Sequence, residues 1–457
     1  MPMPPLDAAF LMGESREHPM HVGGLQLFVP PEGATALDVR QMFEDAVKAN
    51  EVGTLFQKRP HRSLASAGQW AWEIDRDFDL EHHVRFNALP QPGRVLELLA
   101  LCSRLHSTLL DRHRPLWEMH LIEGLNDGRF ATYFKVHHAL VDGVSSLRLL
   151  GRMLGTDPDD RDMPAPWAPR ERKQKQEEQS GFDIAGTVRE MFGRVGETAG
   201  LVPVLARSVR AAMNEQAGSM SFSAPKTMFN TKITGARRFA AQSWPIQRLR
   251  GIGKASGTTL NDVVLAMCSG ALRAYLLELN ALPDAPLIAM VPVSLHGEEV
   301  AGRDPGGNAV GSVMCNLGTH LADPAARLAA VHNSMLEGKA ALKSMTPMQI
   351  MAMSGIGNAP LFMQPALGLV GVMRPPFNLT ISNVPGPTRP LYWNGARLDG
   401  LYPLSIPLDG QALNITCTSY QDGIGFGLTG CRRTVPHLQR LLLHLDDELN
   451  ALEDAVA

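Results

Sequence analysis

A strand that runs directly into two histidines, a carboxylate and a glycine constrains this chain more than any other feature. Phe130, Thr132, Phe134 and Val136 share one parity and Ala131, Tyr133 and Lys135 the other, which predicts a strand with one strongly apolar face. It continues as Lys135-Val136-His137-His138-Ala139-Leu140-Val141-Asp142-Gly143, an HHxxxDG pattern, after which Leu147, Leu150 and Leu154 recur at helical spacing. Strand parity sends His137 and His138 to opposite sides, with His138 following Phe134 and Val136. Asp142 and Gly143 are expected at a strand-to-helix junction.

A neutral imidazole titrates near neutrality and takes the proton of an alcohol as that alcohol attacks a carbonyl. His138 is therefore the candidate general base for attack on an activated thioester, by direct transfer without a covalent intermediate. In this reading His137 is packed and hydrogen-bonded, Asp142 fixes local geometry, and Gly143 permits close backbone approach. The plainer alternative makes Asp142 a helix N-cap and the histidines structural. Metal binding is not expected, because adjacent strand residues diverge and neither H-E-x-x-H nor a cysteine-rich ligand set accompanies them.

Other chemistries lose support along the chain. Gly425-Phe426-Gly427-Leu428-Thr429-Gly430 fits G-x-G-x-x-G in letters only, without the helix that a dinucleotide site needs, and reads as strand and turn glycines. There is no G-x-S-x-G elbow and no G-x-x-x-x-G-K-[ST] loop. A formal net charge of -3 argues against a globally basic nucleic-acid binder. The five cysteines are scattered without metal spacing, and the N-terminus lacks a basic region leading into an apolar core, so a cytoplasmic protein is expected.

With 457 residues and 44% hydrophobic content the chain exceeds one ordinary domain and supports a sizeable core. Residues 1–155 read as an α/β subdomain, with a strand around Val22–Phe28 and a helix bearing Leu98, Leu101, Leu105 and Leu109. Residues 156–235 read as a connector: a proline-rich stretch from Pro164 to Pro169, a dense charge run, then an amphipathic stripe of Ile184, Val188, Met191, Phe192 and Val195. Residues 236–457 form a second subdomain ending in a helix around His437–Leu452. Asn261 or Asp262 is placed to cap a helix carrying Val264, Met267, Leu272 and Leu276. Pro115, Leu116 and Trp117 open a core strand and are read first as packing. From Ser344 to Met373 no side chain is charged and methionines recur, while prolines and glycines break any membrane span; core packing is the first reading and an acyl-channel wall the functional one.

Together these motifs resemble the bacterial wax ester synthase/acyl-CoA:diacylglycerol acyltransferases, within the chloramphenicol-acetyltransferase-like superfamily. The resemblance runs nearly end to end: Pro5-Leu6-Asp7-Ala8-Ala9-Phe10-Leu11, Pro19-Met20-His21-Val22-Gly23-Gly24, Arg114-Pro115-Leu116-Trp117-Glu118, Asn261-Asp262-Val263-Val264, Ser382-Asn383-Val384-Pro385-Gly386-Pro387 and Leu391-Tyr392-Trp393-Asn394-Gly395. It implies an α/β fold of two chloramphenicol-acetyltransferase-like subdomains, mixed sheets flanked by helices, joined by a helical linker with a tunnel between them. It further implies transfer of a fatty acyl group from acyl-CoA to a long-chain alcohol or diacylglycerol, with His138 as base. Pro115, Leu116, Trp117, Asn261 and Asp262 would support the site. Acyl-CoA is then a substrate and no cofactor is needed. The protein would sit peripherally on the cytoplasmic face of the membrane and on lipid inclusions. The competing expectations are an amide-forming relative of condensation domains and a catalytically silent lipid-droplet protein.

Overall fold

The computed structural model describes residues 3–48, 51–62, 68–141, 149, 153–169, 224–294, 310–344, 370–371 and 374–457. Asp142, Gly143, the charged and amphipathic part of the connector and nearly all of the methionine-rich segment lie outside them. In the first half the strands are β1 (His21–Val29), β2 (Lys58–Arg62), β3 (Trp70–Ile74), β4 (Val84–Ala88), β5 (Trp117–Glu123) and β6 (Phe130–His137). In the second they are β7 (Arg237–Pro245), β8 (Ile288–Ser294), β9 (Val310–Asn316), β10 (Leu379–Val384), β11 (Tyr392–Trp393), β12 (Ala396–Leu404), β13 (Leu413–Tyr420) and β14 (Gly423–Cys431). Two six-stranded mixed sheets result, ordered β11-β12-β1-β6-β5-β4 and β7-β14-β13-β10-β8-β9, with β2 and β3 as a separate hairpin.

β6 is central to the first sheet, and all eight of its residues are buried. Phe130, Phe134 and Val136 pack with Phe28, Phe43, Trp117 and Trp393. Ala131 and Tyr133 face Leu25, Leu27 and Cys102 together with Phe239 of β7 and Leu404 of β12. The second face is thus covered too, by the helix Val95–His106 and by the other half of the molecule. That helix seals an exposed edge: Ser103 and Ser107 donate their hydroxyls to Leu99 O and Ser103 O and accept the backbone N–H groups of Phe239 and Arg237 at 2.9 and 2.8 Å. The edge strand β7 is thereby denied to other partners.

Two expectations about chain organisation are revised. The proline-rich stretch is not wholly an exposed connector: Ala165 and Trp167 are buried in the first core, and Gly53 N–H donates to Trp167 O at 2.8 Å. A large indole outweighs the flanking prolines, because burying it removes so much apolar surface from water. Residues 236–457 also do not stay together, since β11 and β12 return to the first sheet, with β12 antiparallel to β1. Asn394 and Gly395 make this return tight: both have positive φ, at 46° and 79°, as a two-residue hairpin turn demands.

On its way β12 crosses β14, and here the glycines of the apparent nucleotide motif have their use. All of Gly425–Gly430 lies within β14. A Cβ at Gly427 would overlap the carbonyl of Pro403, and one at Gly425 would press on the carbonyl of Leu401. Gly427→Ala is expected to destabilise the fold by about 1–3 kcal/mol, the usual cost of overpacking, read as a lower urea midpoint. An unchanged midpoint would contradict this close approach.

The second core is built on the helix Leu260–Glu278, which is long and apolar enough to cross a membrane but is mostly buried against the second sheet. Val264, Met267, Leu272 and Leu276 are all inside it.

Candidate active site

β6 ends at His137, and His138 begins a turn in which Leu140 N–H and Val141 N–H both donate to His137 O, at 2.9 and 3.3 Å. The strand therefore ends at His137, one residue short of His138. His137 is fully buried and its Nδ1 accepts the N–H of Ala139 at 3.1 Å. A neutral ring then carries its proton on Nε2, and that nitrogen lies 3.4 Å from Glu14 Oε1.

His138 is only half-buried. Its ring stacks on Phe10 with centroids 4.2 Å apart and planes at 23°, and its backbone N–H donates to Met20 O at 2.9 Å. Phe10 comes from the N-terminal helix Pro5–Gly13, whose Leu11 joins Met3, Trp72, Leu110, Leu116 and Ala139 in a small apolar cluster at this end of the sheet. One side of the imidazole is thus backed by an aromatic ring beside an apolar surface, and the residue as a whole is partly accessible.

Glu14 follows the same helix and is buried. Burial alone would raise its carboxyl, but hydrogen bonds from His137, Arg112 and the Met20 N–H hold it below the ordinary carboxylate range. Arg112 Nε reaches Glu14 Oε2 at 2.9 Å, and Met20 N–H donates to Oε1 at 3.2 Å. A second buried set lies on the same strand: Lys135 Nζ is 3.0 Å from Glu118 Oε2 and donates to the carbonyls of Leu105 and Thr108, where the helix Val95–His106 terminates. Burial pushes Glu118 up, yet His120, Lys135 and Arg85 outweigh it and bring its carboxyl down to about 2.

Three nearby histidines are held neutral. His106 bonds Tyr133 Oη through Nδ1 and donates from Nε2 to Ser405 O, and burial pushes it down to about 3. His21, paired with His137 across the β1–β6 ladder, is driven well below its usual range by burial and by His106 and Lys135. Burial brings His83 to about 4. Since the unfolded chain takes up these protons near pH 6.5 and the folded chain does not, their contribution is complete above that pH and is lost as pH falls. Each contributes up to about 1.4 kcal/mol per pH unit within its window, and Glu118 acts in the same direction at lower pH. The melting temperature is therefore expected to fall steadily between pH 6.5 and 4; a flat profile would contradict this.

The other singled-out residues are placed as follows. Leu116 O accepts the His137 N–H at 3.0 Å, Trp117 pairs with Val136, and the Trp117 indole donates to Phe56 O at 2.7 Å. Pro115, Leu116 and Trp117 are buried and brace the end of β6. Asn261 and Asp262 belong to the second half. Thr259 is the N-cap of the helix, Asp262 returns the bond from the third helical position, and Asp262 Oδ2 also meets His332 Nδ1 at 2.8 Å. Asn261 is half-buried beside it. The Ser382–Pro387 motif ends β10: Gly386 lies so close to the Ser419 carbonyl that a Cβ would overlap it, and Tyr420 Oη then ties this region to the first sheet through Leu391 N and Leu398 O. Phe10, Glu14, Met20 and Arg112 were not singled out as site residues from sequence. Phe10 and Met20 lie inside two of the quoted motifs, Glu14 lies between them, and Arg112 just precedes Pro115–Trp117.

The model of the wax ester synthase/diacylglycerol acyltransferase catalytic domain matches residues 3–264, and that of the family's C-terminal domain matches residues 306–453. The chain belongs to the wax ester synthase/diacylglycerol acyltransferase family. A probable diacylglycerol O-acyltransferase of Mycobacterium tuberculosis is 52% identical over 454 residues, 99% of each chain. The solved wax ester synthase/diacylglycerol acyltransferase of Marinobacter aquaeolei VT8 superposes with a TM-score of 0.78 at 42% identity, covering 100% of both chains. The first condensation domain of the calcium-dependent antibiotic synthetase, at 17% identity, TM-score 0.59 and coverage of 100% and 96%, shares the fold. The expected two-sheet α/β architecture of this family, with flanking helices, is what the chain adopts.

Proposed function

We propose that this chain transfers a fatty acyl group from acyl-CoA to a long-chain alcohol or diacylglycerol in a ternary complex, with His138 as general base and no covalent acyl-enzyme. The observation that carries this reading is the setting of His138: half-accessible, stacked on Phe10, and held at a sheet end beside an apolar cluster. As the hydroxyl oxygen forms its bond to the thioester carbon, an imidazole nitrogen takes the hydroxyl proton. When the C–S bond breaks, that proton passes to the departing CoA sulfur. The step balances without a cofactor, and acyl-CoA is a substrate.

Direct transfer is supported by the thiols as well. All five cysteines are buried, and burial pushes Cys102, Cys268, Cys315 and Cys417 up, with Cys268 and Cys315 at about 12. Such thiols are poor nucleophiles. Cys431 is brought down to about 7 against its burial, but its sulfur is engaged by the Thr234 N–H and the Thr434 hydroxyl. A tunnel between the two halves would admit the acyl donor and acceptor from separate mouths to meet at His138. On this reading the protein works peripherally, at the cytoplasmic face of the membrane and on lipid inclusions, since both acceptors partition into lipid.

The test is CoA release by purified protein given palmitoyl-CoA with hexadecanol, with dipalmitoylglycerol, or with neither, and with the lipid products resolved. Release that depends on an acceptor and yields ester is expected. Folded protein giving no acceptor-dependent release with either would overturn the reading.

A further inference from the structure

The β1–β6 ladder ends at the pair His21 and His137, and the next pair in the same register is Met20 and His138. What holds its backbone is the bond from its N–H to Met20 O. Met20 is fixed in turn by its own N–H on Glu14 Oε1, at 3.2 Å. The same carboxylate oxygen lies 3.4 Å from His137 Nε2, while His137 Nδ1 receives the Ala139 N–H. The residue before His138, the residue after it and its hydrogen-bond partner therefore all lead to one carboxylate.

That carboxylate is itself immobilised. Arg112 Nε bonds its Oε2 at 2.9 Å and Arg112 Nη2 bonds the Glu14 backbone carbonyl at 3.1 Å, so side chain and main chain are gripped together. The helix that ends just before Glu14 carries Phe10, the ring stacked on His138. Burying a carboxylate costs desolvation that a single arginine does not fully offset. A hydrophobic residue of similar volume would serve packing as well, but would lose the bonds from Arg112 Nε and the Met20 N–H and the contact with His137 Nε2.

We infer that Glu14 is a positioning residue for His138, acting through His137 and Met20 to fix the turn that presents the imidazole. The inference rests on the reading of His138 as the base. Glu14 is buried and held by Arg112, Met20 and His137, so its contribution is expected in turnover rather than in substrate affinity.

The experiment is a double-variant cycle on the full chain, using Glu14→Gln, His138→Ala and the two combined, with acceptor-dependent CoA release followed over palmitoyl-CoA concentration. Glu14→Gln is expected to lower kcat by about ten- to a hundredfold, the usual effect of removing a group that orients a reacting side chain, with KM for palmitoyl-CoA unchanged. In the His138→Ala background it is expected to cost nothing further, because the residue it positions is gone. An equal fractional loss in both backgrounds would show a merely structural role, and a wild-type kcat in Glu14→Gln would show no role; either overturns the inference. Normal turnover in His138→Ala alone would instead remove the base reading on which it rests. Glu14→Asp, which keeps the charge but withdraws it by one methylene, carries the same cycle if the glutamine variant does not fold.

Discussion

Replacing His138 by alanine is expected to lower acceptor-dependent CoA release by about two to four orders of magnitude, equivalent to about 3–5 kcal/mol of transition-state stabilisation. The fold should survive the change. His138 lies beyond the strand, is half-exposed, and supplies to Met20 a backbone N–H that alanine retains. What alanine forfeits is the stacking on Phe10, of order 0.5–1.5 kcal/mol. Circular dichroism and a thiol-release assay on the same preparation separate the two effects. A folded variant with wild-type turnover would remove His138 from the chemistry.

Arg327→Met is expected to produce the largest loss of stability, about 3–5 kcal/mol, because it strands a buried carboxylate. Arg327 Nη2 contacts both oxygens of Glu448 at 2.6 and 2.7 Å, and its Nη1 donates to the carbonyls of Leu321 and Ala322. The Glu448 carboxyl lies against Gly270 of the core helix, in space that a Cβ would fill. Even with its partner, burial holds Glu448 above the ordinary carboxylate range. A group raised in this way binds a proton more readily folded than unfolded, so the variant should regain part of its stability as pH falls. Urea unfolding at two pH values reads both effects, and pairing Arg327→Met with Glu448→Leu should recover most of the loss. A single variant as stable as the parent would contradict the account.

These two sites differ in how far sequence reveals them. The alternation from Phe130 to Val136 discloses the strand, and the histidines that follow point to the proposed chemistry, because both are local patterns. Where the strand stops is not local: β6 ends at His137 because the turn carbonyl bonds ahead to Leu140 and Val141, and parity alone carries it one residue too far. Trp167 sits among prolines and beside a charge run, so its neighbourhood reads as exposed although its indole is buried in the first core. The return of β11 and β12 to the first sheet is equally hidden, since pairing between β1 and β12 joins residues far apart in the chain. The glycine run at 425–430 leaves a trace that makes sense only once the crossing strand is seen. Glu14 shows the same limit at the site itself, because its value comes from meeting Arg112, His137 and Met20 in space, while by sequence it is one acidic residue after a short helix.

The central claim is direct transfer at His138 from a ternary complex. Its most direct test is a single-turnover experiment with acyl-labelled palmitoyl-CoA and stoichiometric protein, with and without hexadecanol, following CoA release and label on the protein. The account predicts that without acceptor the CoA stays esterified and the protein stays unlabelled, and that adding hexadecanol releases CoA and forms ester together. A stoichiometric burst of CoA with label retained on the denatured protein before acceptor is added would contradict it.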